Sequence, residues 1–391
     1  MPRRDRNGGA GGSARTVTLA LLLCGGAGAS ATSSLSLEFI GEHIIQTGAR
    51  FEGTTIGGLS GIDFDPDSGV YYAISDARGA GARFYALDID LEPTRIASVR
   101  FGRVTALRDV GGRNFARLPG SGPRPDPESI RFDPGSGTLY WSSEGDGTAS
   151  LDPWIREAGR DGAFRREITT PVKFRRTTPG TGVRDNQGFE SLAINGDGAT
   201  LFVANENALL QDGPAANRVD GSFVRIVALD KHTASVDAEY AYYVEPVPRV
   251  PRGHSGTRAN GLVELLALGP DRLLALERAY VAGSGNFVTL FEVDLAGASD
   301  VSNVVSLNAD GDWRPVKKHR IADLHSFRSE ILDARAGSAF AHETKVVDNL
   351  EGMTFGPTVG GERTIVFVSD NNFGIFGPQF TQFLAFRIRA H

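Results

Sequence analysis

Cysteine is almost absent from this chain: its 391 residues include one, Cys24. A disulfide framework is therefore excluded, and so is a zinc site built on thiolates. The apolar run from Val17 to Cys24 is far too short to cross a membrane, since a helical span needs about 20 residues. No cluster of lysine and arginine marks a nucleic-acid surface. Gly-x-Ser-x-Gly, a glycine-rich phosphate loop and zinc-binding spacings are all missing, which removes the commonest signatures of serine hydrolases, nucleotide enzymes and metalloproteases. Long stretches with the apolar period of a helix are scarce.

What the chain has instead is glycine, 49 residues of it without a collagen-like period. Short β-prone runs alternate with Gly, Asp, Asn and Pro, the pattern of an all-β fold with many turns. Residues 1–31 are set aside as a secretory signal peptide: Arg3, Arg4, Arg6 and Arg15 flank or precede the apolar run, and Ala27, Ala29 and Ala31 follow it. Arg3-Arg4 is a twin arginine, but Asp5-Arg6-Asn7 lacks the apolar residues that such an export signal carries. Removing this segment takes four of 41 basic and one of 47 acidic residues, leaving 37 against 46, a net charge of −9. The mature chain, residues 32–391, is expected to be a single domain, periplasmic or secreted, monomeric, with no membrane span and no nucleic-acid partner.

One stretch sets the pattern. Asn186-Gln187-Gly188-Phe189-Glu190-Ser191-Leu192-Ala193-Ile194 leads through Asn195-Gly196-Asp197-Gly198 to Thr200-Leu201-Phe202-Val203-Ala204-Asn205-Glu206. That is a β-hairpin with an acid near the start of one strand and another at the end of the next, side by side at its open end. The pattern recurs from Gly58 to Asp76, with Ser60 at the first acid position. It returns from Asp126 to Glu144 around Glu128, from Asn260 to Glu277 around Glu264, and from Asn349 to Asp370 around Glu351. Further β-like runs follow the hairpins, among them Arg83–Asp90 with Thr94–Phe101, Phe223–Asp230 with Val236–Val244, and Phe287–Asp294 with Val301–Leu307.

A four-strand unit repeated radially is the signature of a β-propeller. The last unit has a third strand, Gln382–Ile388, and then the chain ends. The unpaired run from Leu35 is expected to supply its fourth strand and close the ring, removing two exposed edges. Five blades is the simplest count. The interval from Leu307 to Asn349 leaves room for a sixth, with Ile321-Ala322-Asp323-Leu324 as its strand and Ser329–Ala336 as a short helix.

In such a ring Asp76, Glu128, Glu144, Glu190, Glu206, Glu264, Glu277, Glu351 and Asp370 converge on one rim. Carboxylates so placed need a cation, shared protons or arginine partners. Hard oxygen donors in an exported, thiol-free protein favour a divalent metal, calcium above all, with Asn207, Asn371 and Asn372 as further donors. The plainer reading is that each acid satisfies backbone N–H groups between blades. Arg78, Arg278 and Lys345 stand near the same strand ends and are the candidates to bind an anionic substrate. The loop Arg252-Gly253-His254-Ser255-Gly256 offers a histidine to the mouth, although one loop histidine is usually a surface residue.

The repeated acid blocks, with Asp348-Asn349-Leu350-Glu351-Gly352-Met353 and Ser369-Asp370-Asn371-Asn372-Phe373, resemble the phytase-like family. This is a bacterial exported group described as having esterase-like activity of phytase. The resemblance runs from about Phe39 to Ile388. It implies a β-propeller whose Glu and Asp residues carry phosphodiesterase- or phosphoesterase-type hydrolysis, and the matching positions are Asp76, Glu128, Glu144, Glu190, Glu206, Glu351 and Asp370. Ser60 departs from the pattern. The resulting expectation is a metal-dependent hydrolase of phosphate esters. Glu190, Glu351, Glu128 and Glu206 are its catalytic candidates, and Asp76, Glu144, Glu206, Glu277 and Asp370 its metal ligands. The rivals are a calcium-stabilised propeller that binds a ligand or protein without catalysis, and an esterase for sugar or lactone esters.

Overall fold

Four antiparallel strands joined in chain order make each of five sheets, and the sheets stand radially about one axis. The computed structural model describes residues 35–78, 81–115, 124–147, 151–176, 179–248, 258–308 and 311–391. Blade one is Leu59–Asp65, Val70–Ser75, Arg83–Glu92 and Arg95–Ala106; blade two is Pro127–Asp133, Thr138–Ser143, Trp154–Ala158 and Phe164–Ile168. Blade three is Phe189–Ile194, Thr200–Asn205, Ser222–Asp230 and Val236–Val244; blade four is Arg258–Gly269, Arg272–Val281, Gly285–Asp294 and Lys317–Asp323. Blade five is Leu350–Val359, Glu362–Ser369 and Phe380–Ala390, completed on its outside by Leu35–Gln46. That N-terminal strand pairs antiparallel with the last one from Leu35↔Ala390 to Gln46↔Phe380. The ring is therefore closed by joining its two chain ends, as the unpaired run at Leu35 implied.

The turn chemistry explains why the hairpins form where they do. In Asp65-Pro66-Asp67-Ser68-Gly69 the Asp65 carboxylate accepts from the N–H groups of Asp67 (3.0 Å) and Ser68 (3.3 Å) and from the Ser68 hydroxyl (2.7 Å). Gly69 then takes φ 74°, a left-handed value that glycine adopts without strain. Asp133-Pro134-Gly135-Ser136-Gly137 repeats the device in blade two, with Gly137 at φ 67°. Buried apolar side chains collect between neighbouring blades, one cluster to each adjacent pair, with a small further cluster around Val301 and Leu307. Each blade is thus held by the faces of its two neighbours.

Two expectations need correction. Ile321 to Asp323 does not start a sixth blade: Lys317–Asp323 is the outer strand of blade four, and Val301–Leu307, proposed for that role, forms no strand. The buried Val301 and Leu307 side chains pack instead under blade three, beside Ala241. The short helix is real, Arg328–Arg335, and its Ile331 plugs the gap between blades four and five.

The axis itself is filled. Arg131, 2% exposed, projects from the inner strand of blade two. Its guanidinium donates to the carbonyls of Ile62 (2.8 Å), Ile130 (2.9 Å), Leu192 (2.7 Å) and Leu265 (2.7 Å), which belong to the inner strands of blades one to four. The carboxylate of Glu264 lies 2.8 Å from it and accepts from the Ser129 hydroxyl and the N–H groups of Leu192 and Leu265. Asp63 ties in the fifth blade, accepting from Thr354 Oγ1 at 2.8 Å and from the N–H of Phe132 at 2.7 Å. Glu264 is accordingly a plug residue and not part of the rim. Burial pushes its carboxyl up to about 8, and the Arg131 guanidinium works against that.

Removing one partner of such a pair leaves a buried charge uncompensated, at a cost of about 3–5 kcal/mol. Arg131→Met is therefore expected to lower the unfolding free energy by about that much. The double variant Arg131→Met/Glu264→Gln should recover a large part of the loss in urea denaturation. Destabilisation by the double change equal to the sum of the Arg131→Met and Glu264→Gln changes would show that the two residues are not coupled.

Candidate active site

Each inner strand carries a β-bulge at the same height, an extra residue that turns one side chain out of the ladder. The register shifts fall between Leu59 and Gly61, Pro127 and Ile130, Phe189 and Ser191, Leu262 and Glu264, and Leu350 and Gly352. The residues in the bulges are Ser60, Glu128 (with Ser129), Glu190, Val263 and Glu351. A second ring comes from the second strand of each blade, one residue beyond the position paired with the start of the bulge. Ser75, Ser143, Asn205, Glu277 and Ser369 lie opposite the first residue of each bulge. The residues just after them are Asp76, Glu144, Glu206, Arg278 and Asp370.

Blade four therefore reads one residue out of step with the sequence alignment. The fourth acid of the first ring is replaced by Val263 and that of the second by Arg278. Glu277, expected as a metal ligand, points into the gap between blades three and four. There it accepts from Tyr242 Oη (2.8 Å), Lys318 Nζ (2.6 Å), Asn260 Nδ2 (2.9 Å) and the N–H of Glu245 (3.0 Å). A one-residue slip in a strand exchanges its two faces, which is the physical reason for both errors.

Above the Arg131 plug the remaining acids form the floor of a cavity of about 1090 Å³, lined in part by Asp76, Glu128, Glu190, Glu351, Asp370 and Arg278. Glu144, Glu206 and Asp126 lie buried against these. The sequence reading passed over Asp126 as a site residue, although it opens the second repeat; its signal is an acid two residues before the bulge. Asp126, Glu128 and Glu144 bring carboxylate oxygens within 4.8 Å of one another, and so do Glu144, Glu190 and Glu206. Glu144 belongs to both groups. Its Oε1 accepts from the N–H of Gly188 at 2.6 Å. A Cβ on Gly188 would stand 2.9 Å from the Glu144 backbone, so only glycine allows this approach between blades two and three.

The electrostatics follow from burial. Desolvation, followed by the Glu351 charge, moves Asp76 up to about 7. Desolvation raises Glu206 to about 8, opposed by Arg278. Glu128, Glu190 and Asp370 rise well above the usual range for the same reason, reinforced by their acidic neighbours. Glu144 and Glu351 are raised too, although each has hydrogen-bond partners that oppose the shift. Two arginines answer the acids. Arg278 lies 2.6 Å from Glu351 and 3.5 Å from Glu206. Arg78 pairs with Asp126, stands 3.6 Å from Glu144, and donates to Asn186.

The expected substrate-binding residues thus occupy three different situations. Arg78, its side chain 44% exposed, reaches the open cavity, whereas Arg278 is an internal counter-ion. Lys345 lines the cavity, bonded to Asp348 at 3.2 Å and to the Pro378 carbonyl at 2.7 Å. Of the expected extra donors, Asn372 lines the cavity, while Asn371 caps the turn after Asp370 and Asn207 holds the Asn260 carbonyl. His254 lies outside the described residues, as do residues 1–31.

Comparison with known proteins identifies one matching family. Residues 54–373 match the family model "Phytase-like: Esterase-like activity of phytase". A search of curated proteins found no match. Among solved structures, similarity extends to an endo-arabinase from Bacteroides thetaiotaomicron: 12% identity, 89% of this chain and 96% of that one, TM-score 0.45. It extends also to a thermostable family-43 glycoside hydrolase: 10% identity, 86% and 93% covered, TM-score 0.44. A third is the catalytic domain of the Coprinopsis cinerea GH62 alpha-L-arabinofuranosidase: 10% identity, 91% and 97% covered, TM-score 0.40. Likeness at this level carries no argument about chemistry.

The raised carboxyls make a prediction about pH. The unfolded chain releases these protons near pH 4, whereas the folded chain keeps them up to about 7 at Asp76 and 8 at Glu206. Between those limits the folded state binds more protons, so stability is greatest at the acid end and is lost as pH rises. In chelator, Tm is expected to fall on the order of 5 °C from pH 5 to pH 8. A Tm that climbs over that range would show that the acids are ionised and compensated within the protein.

Proposed function

Since the chain belongs to the phytase-like family, described by its esterase-like activity, we propose that it is an exported hydrolase of phosphate esters assisted by a divalent cation. One observation carries this reading. Asp126, Glu128, Glu144, Glu190, Glu206, Glu351 and Asp370 are buried at one cavity floor beside the half-buried Asp76, and Arg78 and Arg278 are paired with members of this group. Architecture alone has no use for that many carboxylates in contact.

The residues fit a metal. Asp76 Oδ1 is buried with no hydrogen-bond partner among the described residues. Glu144 and Glu190 are within hydrogen-bond reach of each other, an arrangement that calls for a shared proton or a cation. Every donor is a hard oxygen, as calcium requires. Glu144 would hold the ion with Asp126 and Glu128 on one side or with Glu190 and Glu206 on the other. When bound, such an ion neutralises phosphoryl oxygens and acidifies a water molecule.

The chain's own groups account for the rest. Arg78, the most exposed of the arginines touching the acids, offers its guanidinium to phosphate charge developing at the mouth. Arg278 fixes the Glu351 carboxylate with Asn349, whose Nδ2 donates to Glu351 Oε1 at 3.0 Å. Glu190, whose carboxyl is raised by burial and by Glu128, Glu144 and Glu206, is the candidate to take a proton from water. The non-catalytic reading keeps one observation in its favour: Glu144 also bridges two blades through Gly188.

An ester panel tests the proposal: phosphomonoesters, phosphodiesters, sugar esters and lactones, each with calcium and with chelator. Calcium-dependent turnover of phosphate esters is expected. Glu190→Gln should lower kcat by about 10²–10⁴-fold while leaving Tm unchanged or higher, because it removes one of several repelling charges. Calcium-raised Tm without turnover of any ester would favour the binding module, and turnover confined to sugar esters or lactones would replace phosphate chemistry.

A further inference from the structure

The cavity continues above its acidic floor, and the character of its wall changes there. The inner hairpin of blade four is longer than those of blades one to three: Arg258–Gly269 and Arg272–Val281 run past the acid ring and carry Tyr280 upward, two residues beyond Arg278. Facing the same cavity is the segment after Asp370 in blade five, with Phe373, Ile375, Phe376 and Pro378. Ile375 and Phe376 are 76% and 79% exposed. Among the described residues, the exposed large aromatics are Tyr280 and Phe376, and both line this one cavity. Exposed aromatic side chains confined to a single concave wall mark a ligand surface.

Backbone strain gathers at the same wall. Asn372 and Phe373 are consecutive non-glycine residues at φ 44° and φ 50°, and Asn186 across the cavity has φ 55°. Such conformations are strained and persist only where the surroundings hold them. Asn371 Oδ1 holds this turn by accepting from the N–H of Phe373 at 3.0 Å and of Gly58 at 3.2 Å, and Asp370 Oδ1 accepts from the N–H of Asn372 at 2.6 Å. Arg83 lies 5.9 Å from the Phe373 ring centroid. The strained turn is thus fastened to the acid floor, and it carries Ile375 and Phe376 out beside the opening.

We propose that Tyr280, Ile375 and Phe376 determine specificity by holding an apolar, aryl-sized organic group of a substrate whose single anionic head sits on the floor below. The inference rests on the phosphate-ester reading and names its substrate class. The cavity, about 1090 Å³, is far larger than a phosphate head requires, and it is large enough for a drug-sized molecule. A polyphosphorylated sugar fits this wall poorly. Its many charges need a matching set of free cations, whereas Arg278 and Lys345 are already paired with Glu351 and Asp348. An apolar body gains from leaving water against these side chains.

The test compares 1-naphthyl phosphate with methyl phosphate in calcium, using the whole mature chain. The specificity ratio, kcat/KM for the first over the second, is expected to be at least about tenfold, after allowing for the leaving groups with the uncatalysed rates. It should fall to about onefold to threefold in Tyr280→Ser/Ile375→Ser/Phe376→Ser and by an intermediate amount in Phe376→Ser alone. Val236→Ser, at an exposed apolar site away from the cavity, should leave the ratio unchanged. Calorimetric binding of 1-naphthylphosphonate and methylphosphonate gives a readout that does not need turnover. Preferential aryl binding lost in the triple variant, without hydrolysis of any ester, would uphold this inference while sinking the hydrolase. Hydrolysis with an unchanged ratio in the triple variant would overturn this inference alone. Tighter binding of inositol hexakisphosphate than of the naphthyl compound would overturn it too, as would binding of neither phosphonate.

Discussion

Everything in this propeller is arranged around a guanidinium on its axis. Four inner strands present carbonyl oxygens to Arg131, and Glu264 supplies the countercharge. Backbone carbonyls that converge on an axis cannot pair with one another, and a buried acceptor without a donor is costly. One planar cation with donors fanned across its plane meets several of them at once, a geometry that lysine could not reproduce. Filling the axis also converts a through-channel into a bowl. The bulged acids then stand over a closed floor in place of an open pore, and their burial is what raises their proton affinities.

The five-fold repeat is broken where it helps most. With an acid at every equivalent position, the two rings would repel throughout. Ser60 and Val263 remove charge from the first ring, and Arg278 inverts it in the second, placing a cation between Glu206 and Glu351. What remains is still an excess of carboxylate concentrated on blades two and three, around Glu144. The opposite sector, formed by blades four and five, holds the basic and apolar groups: Arg278, Lys345, Tyr280 and the strained turn after Asp370. The bowl therefore has a cation-seeking side and an organic side, and a substrate that spans both must carry unlike ends.

Much of the fold was legible because each hairpin is a local object. Asp-Pro-x-Ser-Gly turns, β-prone runs of six or seven residues and an unpaired first strand all declare themselves within a short window. The acids of blades one, two, three and five were legible for the same reason, since each ends a recognisable run. Blade four was not. Leu262-Val263-Glu264 can offer either of its last two residues to the bulge, and the choice depends on pairing with Leu276 and Glu277 across the ladder. Glu277-Arg278 carries the same ambiguity; the repeat pattern points one residue late in the first case and one residue early in the second. Asp126 escaped because it precedes its strand, where no periodic pattern singles it out.

The sequence by itself determined that this is a repeated β-architecture, where its hairpins turn, that its ends must meet, and which acids cap most of its strands. Those properties depend on neighbours a few residues apart, or on a repeat that is visible as repetition. Only the tertiary structure decided which carboxylates share a space, that Arg131 and Glu264 close the axis, that Arg278 stands in an acid's place, and that Tyr280 and Phe376 face the same cavity. Those facts depend on side chains from different blades, 135 residues apart in the case of Ser129 and Glu264 and 291 in that of Asp63 and Thr354. A one-residue shift in register, which barely alters the local pattern of a strand, reverses the direction in which each of its side chains points.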